Sequence, residues 1–330
     1  MTVGEALTAA AARLAASSDS ARLDAELLLG AVIGAGRTQL LLRRDEPLSA
    51  AQVEMLDGLL RRRIDGEPVP YLTGQQGFWT LDLRVTPKVL VPRPETELLV
   101  EWGLELLLSS LSPAGASRGE MGRAAPEGMG RPAAGAVGHP LPPVEEQPAA
   151  RSGGAGLPPP AGLPPAVAVA DLGTGSGAIA LALAREHPQA RVIATDASAR
   201  ALAVAAGNAR ALGIANVEFH EGSWYRPLAG ERFDLILSNP PYIAAGDPHL
   251  PALRHEPAEA LSDGGDGLSC LREIIAGAPR HLSPGGWLLV EHGYDQGEAV
   301  RALFAAAGLR QVATRRDLGG QERCTGGCLA

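Results

Sequence analysis

The spacing of apolar positions changes several times along the chain, and each stretch predicts its own kind of structure. In residues 2–65, apolar side chains recur every three or four positions, which is typical of amphipathic helices. Ser49 followed by Gln52 has the spacing of a capping box and predicts the start of a helix that ends before Pro68. Residues 1–74 are therefore predicted to form a small helical domain.

Short apolar and aromatic runs follow between Gln76 and Val85, and they predict a two-stranded ribbon. This β-hairpin bridge is expected over residues 75–90. A further helix is predicted to begin near Pro94, because proline and acidic side chains suit a first helical turn, and to end near Ser109.

Residues 112–165 differ from the rest in being dominated by proline, glycine and alanine, with almost no large apolar side chains. Such a segment cannot bury enough surface to offset the entropy lost on ordering. We therefore predict a disordered insert. Drift in composition explains this insert more simply than a functional tether does, and it contains no repeat of fixed period.

From Ala166 onward, short apolar runs alternate with helical patterns, which predicts an α/β fold with a parallel sheet and crossover helices. The last two strands are joined by residues 317–321, which are too few for a parallel crossover, so we expect an antiparallel hairpin there. The predicted strands cover residues 167–171, 191–195, 217–220, 233–237, 287–291, 311–315 and 323–329.

Composition and charge restrict the class of function. The net charge of -8 and the lack of a long basic stripe argue against a dedicated duplex-DNA binder, so no direct nucleic-acid binding is expected. No apolar stretch approaches a membrane span and the N-terminus lacks the pattern of a leader, which predicts a cytoplasmic protein with no membrane partner. The cysteines and histidines lack the spacing of zinc ligands, so no metal site is predicted.

A glycine-rich segment follows the first predicted strand of the α/β region and opens a helix, which is where a nucleotide loop belongs. Its G-x-G-x-G spacing differs from that of dinucleotide enzymes, and no lysine follows as in a P-loop, so an adenosine ligand without phosphates is favoured. An ordinary strand-to-helix turn is the alternative. The candidate cofactor residues in the segment are Gly173, Thr174, Gly175, Ser176 and Gly177.

Two further residues are candidates for the same ligand. Asp196 ends the next strand, about 20 positions beyond the glycines, where a carboxylate can accept hydrogen bonds from both ribose hydroxyls. Its alternative role is to cap the following helix. Trp224 follows the third strand and could cover one face of an adenine, although a packing role fits its position nearly as well.

The sequence Asn239-Pro240-Pro241-Tyr242, hereafter the quartet, stands at the end of the fourth strand beside the predicted cofactor crevice. The Asn239 side-chain oxygen and the Pro240 carbonyl offer two acceptors, which suit one planar NH2 group. Tyr242 can pack against that planar group. The alternative is a rigid turn in which Asn239 only caps the strand.

Together these residues resemble the release-factor glutamine methyltransferases, the PrmC/HemK family, which modify the glutamine of the Gly-Gly-Gln motif in class I peptide chain release factors. The resemblance covers nearly the whole chain except the insert. Besides the glycine loop, it rests on residues 91–97 (Val-Pro-Arg-Pro-Glu-Thr-Glu), 238–243, 282–286 and 291–293 (Glu-His-Gly).

The resemblance implies a class I S-adenosylmethionine methyltransferase domain over residues 91–330, with a Rossmann-like seven-stranded sheet whose last strand is antiparallel. It also implies that the helical domain grips the release factor. S-adenosylmethionine is then the cofactor, bound by residues 173–177, Asp196, Trp224 and Asn239. The whole quartet binds the substrate glutamine, and Asn239, Pro240 and Tyr242 form the catalytic group.

Three rival functions stay open. The same quartet serves adenine N6 methylation in DNA enzymes, where base flipping would be required, but this chain shows no basic target-reading domain. A related enzyme modifies a glutamine of a ribosomal protein, although residues 92–97 look like those of the release-factor branch. A binding module that retains cofactor without catalysis is the third, and the intact quartet argues against it. His292 is expected to be structural.

Overall fold

The computed structural model describes residues 1–110 and 167–330, which fall into two compact units. The first unit runs from Met1 to Thr73, and the second holds Gly74–Ser109 and the described residues up to Ala330. The predicted insert at 112–165 lies outside the described residues. In the described part of the chain, no helix is both long and apolar enough to cross a bilayer.

The first unit is built from five helices around an aliphatic core that includes Leu14, Leu28 and Leu29. The predicted capping box is present: the Gln52 N–H donates to Ser49 Oγ at 3.2 Å, and the Gln52 side chain accepts from the Ser49 N–H at 2.9 Å. The helices are α1 (Val3–Leu14), α2 (Ala21–Ile33), α3 (Arg37–Leu42), α4 (Ala50–Ile64) and α5 (Val69–Thr73).

The short helix α5 was not expected from the sequence, which indicated only that a helix ends before Pro68. The Pro68 carbonyl accepts hydrogen bonds from the N–H groups of Tyr71 at 3.0 Å and Leu72 at 3.3 Å. α4 already ends at Ile64, before Gly66 with its positive φ of 92°, and Pro68, whose backbone angle suits a first helical turn, stands directly before α5.

The second unit begins with a two-stranded antiparallel hairpin and continues into a seven-stranded sheet of order β5-β4-β3-β6-β7-β9-β8. The last strand, β9, runs antiparallel to both of its neighbours, which confirms the predicted fold class. The strands are β1 (Gln75–Phe78), β2 (Leu81–Arg84), β3 (Ala168–Leu172), β4 (Arg191–Asp196), β5 (Val217–Glu221), β6 (Phe233–Ser238), β7 (Leu282–Glu291), β8 (Arg310–Arg316) and β9 (Glu322–Cys328).

Helices cover both faces of the sheet, and alternate residues of each central strand enter different cores. In β6, for example, Leu235 and Leu237 belong to one buried cluster and Ile236 to the other, as the two-residue period of a strand requires. The helices are α6 (Glu97–Ser110), α7 (Ala178–Glu186), α8 (Ala199–Leu212), α9 (Ala258–Leu261), α10 (Ser269–His281) and α11 (Gly297–Ala306).

The central strands β3, β4 and β6 are parallel and pair in the order β4-β3-β6. Their carboxyl ends therefore lie at one edge of the sheet. This edge receives the glycine loop after β3, Asp196 at the end of β4 and the quartet after β6, so the candidate residues meet where ligands bind in open α/β sheets.

Candidate active site

The glycine loop turns tightly because its glycines adopt backbone angles that other residues disfavour. Gly173 and Gly177 have φ values of 77° and 86°. A Cβ at Gly177 would lie 2.9 Å from Leu181 Cδ1, and one at Gly173 would lie 3.2 Å from the Trp224 ring. Neither position has room for a side chain without movement of its neighbours. At Gly175 no atom lies within 4 Å of the same position, so there is open space beside the loop.

Asp171, near the carboxyl end of β3, stabilises the glycine loop through hydrogen bonds. One of its carboxylate oxygens accepts from Thr174 Oγ1 at 2.7 Å and from the Ala180 N–H at 3.2 Å, which ties the loop to the first turn of α7. Its other oxygen is buried and has no hydrogen-bond partner among the described residues. Burial raises the pKa of Asp171 to about 7.

Asp196 binds the loop from the neighbouring strand. Its two carboxylate oxygens accept from the N–H groups of Gly175 at 2.9 Å and Ser198 at 2.8 Å. The capping residue of α8 is Ser198, whose hydroxyl accepts from the Ala201 N–H at 3.2 Å, so Asp196 is not the helix cap. Burial raises the pKa of Asp196 while these N–H donors lower it. Each oxygen still has a lone pair available for a ligand hydroxyl.

Trp224 lies against the loop. Its ring occupies the space beside Gly173 that a side chain there would need, and its carbonyl accepts from Thr195 Oγ1 at 3.1 Å. The residue has a positive φ of 49°, which is rare for a bulky side chain and indicates that its position is imposed by the surroundings. The ring also packs against the buried cluster that contains Ile236. A role in contacting the ligand and a role in packing are therefore compatible.

Asn208 was missed by the sequence reasoning, although it connects the glycine loop to the hairpin. Its side-chain NH2 donates to the carbonyls of Ser176 at 2.9 Å and Arg84 at 3.0 Å, and its oxygen accepts from the Arg84 N–H at 2.9 Å. It lies inside an otherwise ordinary amphipathic helix, so the sequence carried no sign of this role.

The quartet is held by a chain of side-chain hydrogen bonds. Asn239 Nδ2 donates to Thr96 Oγ1 at 3.0 Å, and Thr96 Oγ1 donates to Glu291 Oε2 at 2.7 Å. The Tyr242 hydroxyl donates to the other oxygen, Glu291 Oε1, at 3.1 Å. Both ends of the quartet are therefore connected to one carboxylate, which is 1% exposed.

Burial has large effects on the titration of this cluster. It raises the pKa of Glu291 to about 7, while the hydrogen bonds from Thr96 and Tyr242 and the charge of Arg323 lower it. Burial and then the charge of Glu291 raise the pKa of the Tyr242 phenol. Tyr242 therefore keeps its proton near neutral pH and serves as a donor.

A cavity of ≈ 260 Å³ opens beside the quartet. Asn239, Pro240 and Tyr242 line it, whereas Pro241 does not. Arg93 is the charged residue of the cavity wall, and its guanidinium is paired with the buried carboxylate of Glu256. The rest of the wall is apolar and consists of Leu90, Ile243, Leu253, Ala260 and Leu261.

Thr96 and Glu291 were not predicted as site residues. Both lie in segments that carried the family resemblance, residues 91–97 and 291–293, so the motif was noticed but its chemistry was not. The neighbouring His292 is buried, with ring nitrogens 2.8 Å from the Gly293 carbonyl and 2.8 Å from Thr325 Oγ1, which is a structural environment. Within residues 1–110 and 167–330, no group of three or more acidic, His or Cys side chains could hold a metal ion.

The strand order with an antiparallel last strand, the glycine loop after β3, the acid ending β4 and the quartet ending β6 define a class I methyltransferase. The catalytic domain of hMettl16, solved in complex with a MAT2A 3'UTR hairpin, has the same fold, with a TM-score of 0.50 over 86% of this chain and 83% of that one at 11% identity. Family models match residues 5–74 as a PrmC N-terminal domain and residues 162–308 as a methyltransferase small domain.

Curated relatives identify the family. The release factor glutamine methyltransferase of Xylella fastidiosa (strain Temecula1) is 47% identical over 315 residues, 95% of both chains. The enzyme of the same name from Coxiella burnetii is 39% identical over 323 residues, 98% of this chain and 97% of that one. The chain belongs to the release factor glutamine methyltransferase family.

Proposed function

We propose that this enzyme transfers a methyl group from S-adenosylmethionine to the side-chain amide nitrogen, N5, of the glutamine in the Gly-Gly-Gln motif of class I peptide chain release factors. The observation that carries the proposal is the quartet beside its cavity, with Asn239 held through its NH2 so that its oxygen is left to accept. Membership of the family supports the substrate assignment.

The cofactor residues proposed are Gly173 through Gly177, Asp196, Trp224 and Asn239. They fit S-adenosylmethionine because there is open space beside Gly175, Asp196 keeps lone pairs for ribose hydroxyls and the Trp224 ring lies at the loop. No positive side chain is needed, since this ligand has no phosphates. When bound, S-adenosylmethionine supplies an electrophilic methyl group on a sulfonium.

The contribution of the protein is to orient the substrate amide. An amide nitrogen is a weak nucleophile because its lone pair is delocalised into the carbonyl. Two acceptors, Asn239 Oδ1 and the Pro240 carbonyl, would take both of its hydrogens and hold the nitrogen in one orientation, which lowers the barrier to transfer. Tyr242 would then pack against the planar group, and Pro241, which does not line the cavity, would contribute by stiffening the turn that carries the other three residues. The amide proton is lost to solvent after transfer.

We also propose roles for the parts of the chain. The helical unit, residues 1–74, would bind the release factor, and the hairpin over residues 75–90 would bridge to the methyltransferase domain at 91–330. The apolar wall of the cavity suits a motif whose residues next to the glutamine are glycines, because these bring no side chain that needs space. No direct contact with nucleic acid is part of this proposal.

One assay separates this function from its rivals. The protein would be incubated with labelled S-adenosylmethionine and, in parallel, a class I release factor, ribosomal proteins, and single-stranded or duplex DNA. Mass spectrometry then locates the methyl group. We expect it on the Gly-Gly-Gln glutamine. Methyl transfer to DNA or to a ribosomal-protein glutamine alone would overturn the proposal, and binding of cofactor without any transfer would indicate a binding module.

A further inference from the structure

A buried carboxylate that the proposed reaction does not itself consume lies behind the quartet. Glu291 ends β7, and its two oxygens accept from two different segments, from Thr96 just before α6 and from Tyr242 at the end of the quartet. A carboxylate this deeply buried costs free energy unless it is fully hydrogen-bonded, so this arrangement needs a reason.

The direction of the hydrogen bonds supplies that reason. An ionised carboxylate can only accept, so the hydrogen of the Thr96 hydroxyl must point to Glu291. The lone pairs of Thr96 Oγ1 then face Asn239 and can only accept. Of the two ends of the Asn239 amide, only the NH2 can donate to Thr96, which leaves the Asn239 oxygen for the cavity.

We propose that Glu291 is a positioning residue, which acts through Thr96 to fix the Asn239 side-chain amide with its oxygen toward the substrate NH2. This inference rests on the proposed function. The reversed amide would present two hydrogens to an NH2 group that also carries hydrogens, and the substrate nitrogen could not be held. The same carboxylate fixes Tyr242, so one group sets both ends of the quartet.

The charged and titratable groups around Glu291 come from several elements. Arg323 on β9 favours the ionised form, and Glu95, just before Thr96, disfavours it. Cys324 pairs with Glu291 across the sheet, and burial together with the charge of Glu291 raises the pKa of that thiol, so Cys324 stays neutral. With a pKa of about 7, Glu291 is ionised above neutral pH and can lose its acceptor-only character below it.

Substitutions at Thr96 give the sharpest test. Thr96→Val keeps the shape of the side chain but removes the oxygen that accepts from the Asn239 NH2. We expect kcat to fall about 10- to 100-fold, which is the scale of effect when a reacting group is misplaced. Thr96→Ser keeps the hydroxyl and should retain most of the wild-type kcat. Cofactor Kd should change little in either, whereas Tm should fall in Thr96→Val, which leaves the Asn239 NH2 and one Glu291 oxygen without this partner, and should change little in Thr96→Ser. If Val and Ser variants that are both folded lose kcat equally, or if both keep it, the inference is wrong.

Glu291→Gln tests the carboxylate itself. A glutamine side chain can accept at only one end, so either Thr96 or Tyr242 loses its acceptor. We expect kcat to fall more than KM rises, and the increase of wild-type kcat through about pH 7 to disappear. Glu322→Gln is the matched control, since it removes a partly buried carboxylate of β9 that pairs with Arg301 instead.

The outcomes separate the two proposals. If the wild-type protein transfers no methyl group to any glutamine, the proposed function fails before the variants are compared. If the wild type is active and Glu291→Gln keeps the kcat and the pH profile of the wild type, only the positioning role fails. An equal loss of kcat in Glu322→Gln would also contradict that role.

Discussion

The two sides of the active site are built differently. On the cofactor side, the carboxylates that hold the loop bond to residues fairly close in sequence: Asp196 to Ser198 two positions on and to Gly175 across 21, and Asp171 to Thr174. The long-range contact described there is that of Asn208, which joins the loop to Arg84 across 124 positions. On the substrate side, Asn239 reaches Thr96 across 143 positions and Thr96 reaches Glu291 across 195. The first side is mainly a backbone cradle, formed by the glycine loop and the strand next to it, whereas the second consists of side chains from three distant parts of the unit.

This difference predicts separate kinds of damage. A defect in the backbone cradle should weaken cofactor binding, because the loop that contacts the ligand changes shape. A defect in the side-chain network should leave cofactor affinity largely intact and reduce the chemical step, because the substrate amide is no longer oriented. Each of the following experiments can break this distinction or sharpen it.

The largest effect is expected for Asn239→Ala. Removing a preorganised acceptor at a reacting group commonly costs about 100- to 1,000-fold in kcat, and we expect a loss on that scale with cofactor Kd changed far less. Single-turnover methyl transfer and calorimetric titration of the cofactor measure the two quantities. Asn216→Ala is the matched control, because the hydrogen bonds of its NH2 within the described residues go to carbonyls, among them those of Ala184 and Ala190. Unchanged turnover in Asn239→Ala would refute the role of the quartet.

Each side also contains one buried carboxylate whose pKa is about 7, Asp171 for the cofactor and Glu291 for the substrate. Both values lie above those of an unfolded chain, near 4. The stabilising contribution of the protonated forms is therefore fully present below about pH 4 and is lost as the pH rises through 7.

Between pH 5 and pH 8 we expect each group to lower the free energy of unfolding by roughly 2–3 kcal/mol. Asp171→Asn and Glu291→Gln should each remove one part of it, which urea titrations at pH 5 and pH 8 would detect. If neither substitution alters the difference between the two pH values, the carboxylates are not proton-binding groups in this range.

The contrast between the two sides also explains what could be predicted from sequence. The glycine loop and Asp196 were identified because the spacing of the glycines and the acid ending the next strand can be recognised from short stretches of sequence. The quartet was identified because a predicted strand leads directly into it. Thr96 and Glu291 were missed because nothing in either local sequence says that they meet. The antiparallel hairpin of the last two strands was predicted from its short loop. The position of β9 in the sheet, between β7 and β8, was not, because it depends on pairing between β9 and the distant strand β7.

A smaller effect is expected for Asp196→Ala. The change removes acceptors for Gly175 and for the proposed ribose hydroxyls, and a hydrogen bond to a charged group is worth about 1.5–3 kcal/mol. Cofactor Kd should therefore weaken about 10-fold or somewhat more, while kcat at saturating cofactor falls less than in Asn239→Ala. Equal losses of cofactor affinity in the two variants would contradict the division between the two sides.

The smallest effect is expected from replacing residues 112–165 with a short glycine-serine linker. The residues that we propose for cofactor and substrate lie outside this segment, and its composition offers almost no large apolar side chains to bury. We therefore expect kcat and cofactor Kd to stay within about 2-fold of the wild type, since loop length changes closure entropy only slowly. A raised KM for the release factor with unchanged kcat would instead give the segment a role in binding the protein substrate, and a large loss of kcat would show that the substrate side depends on it as well.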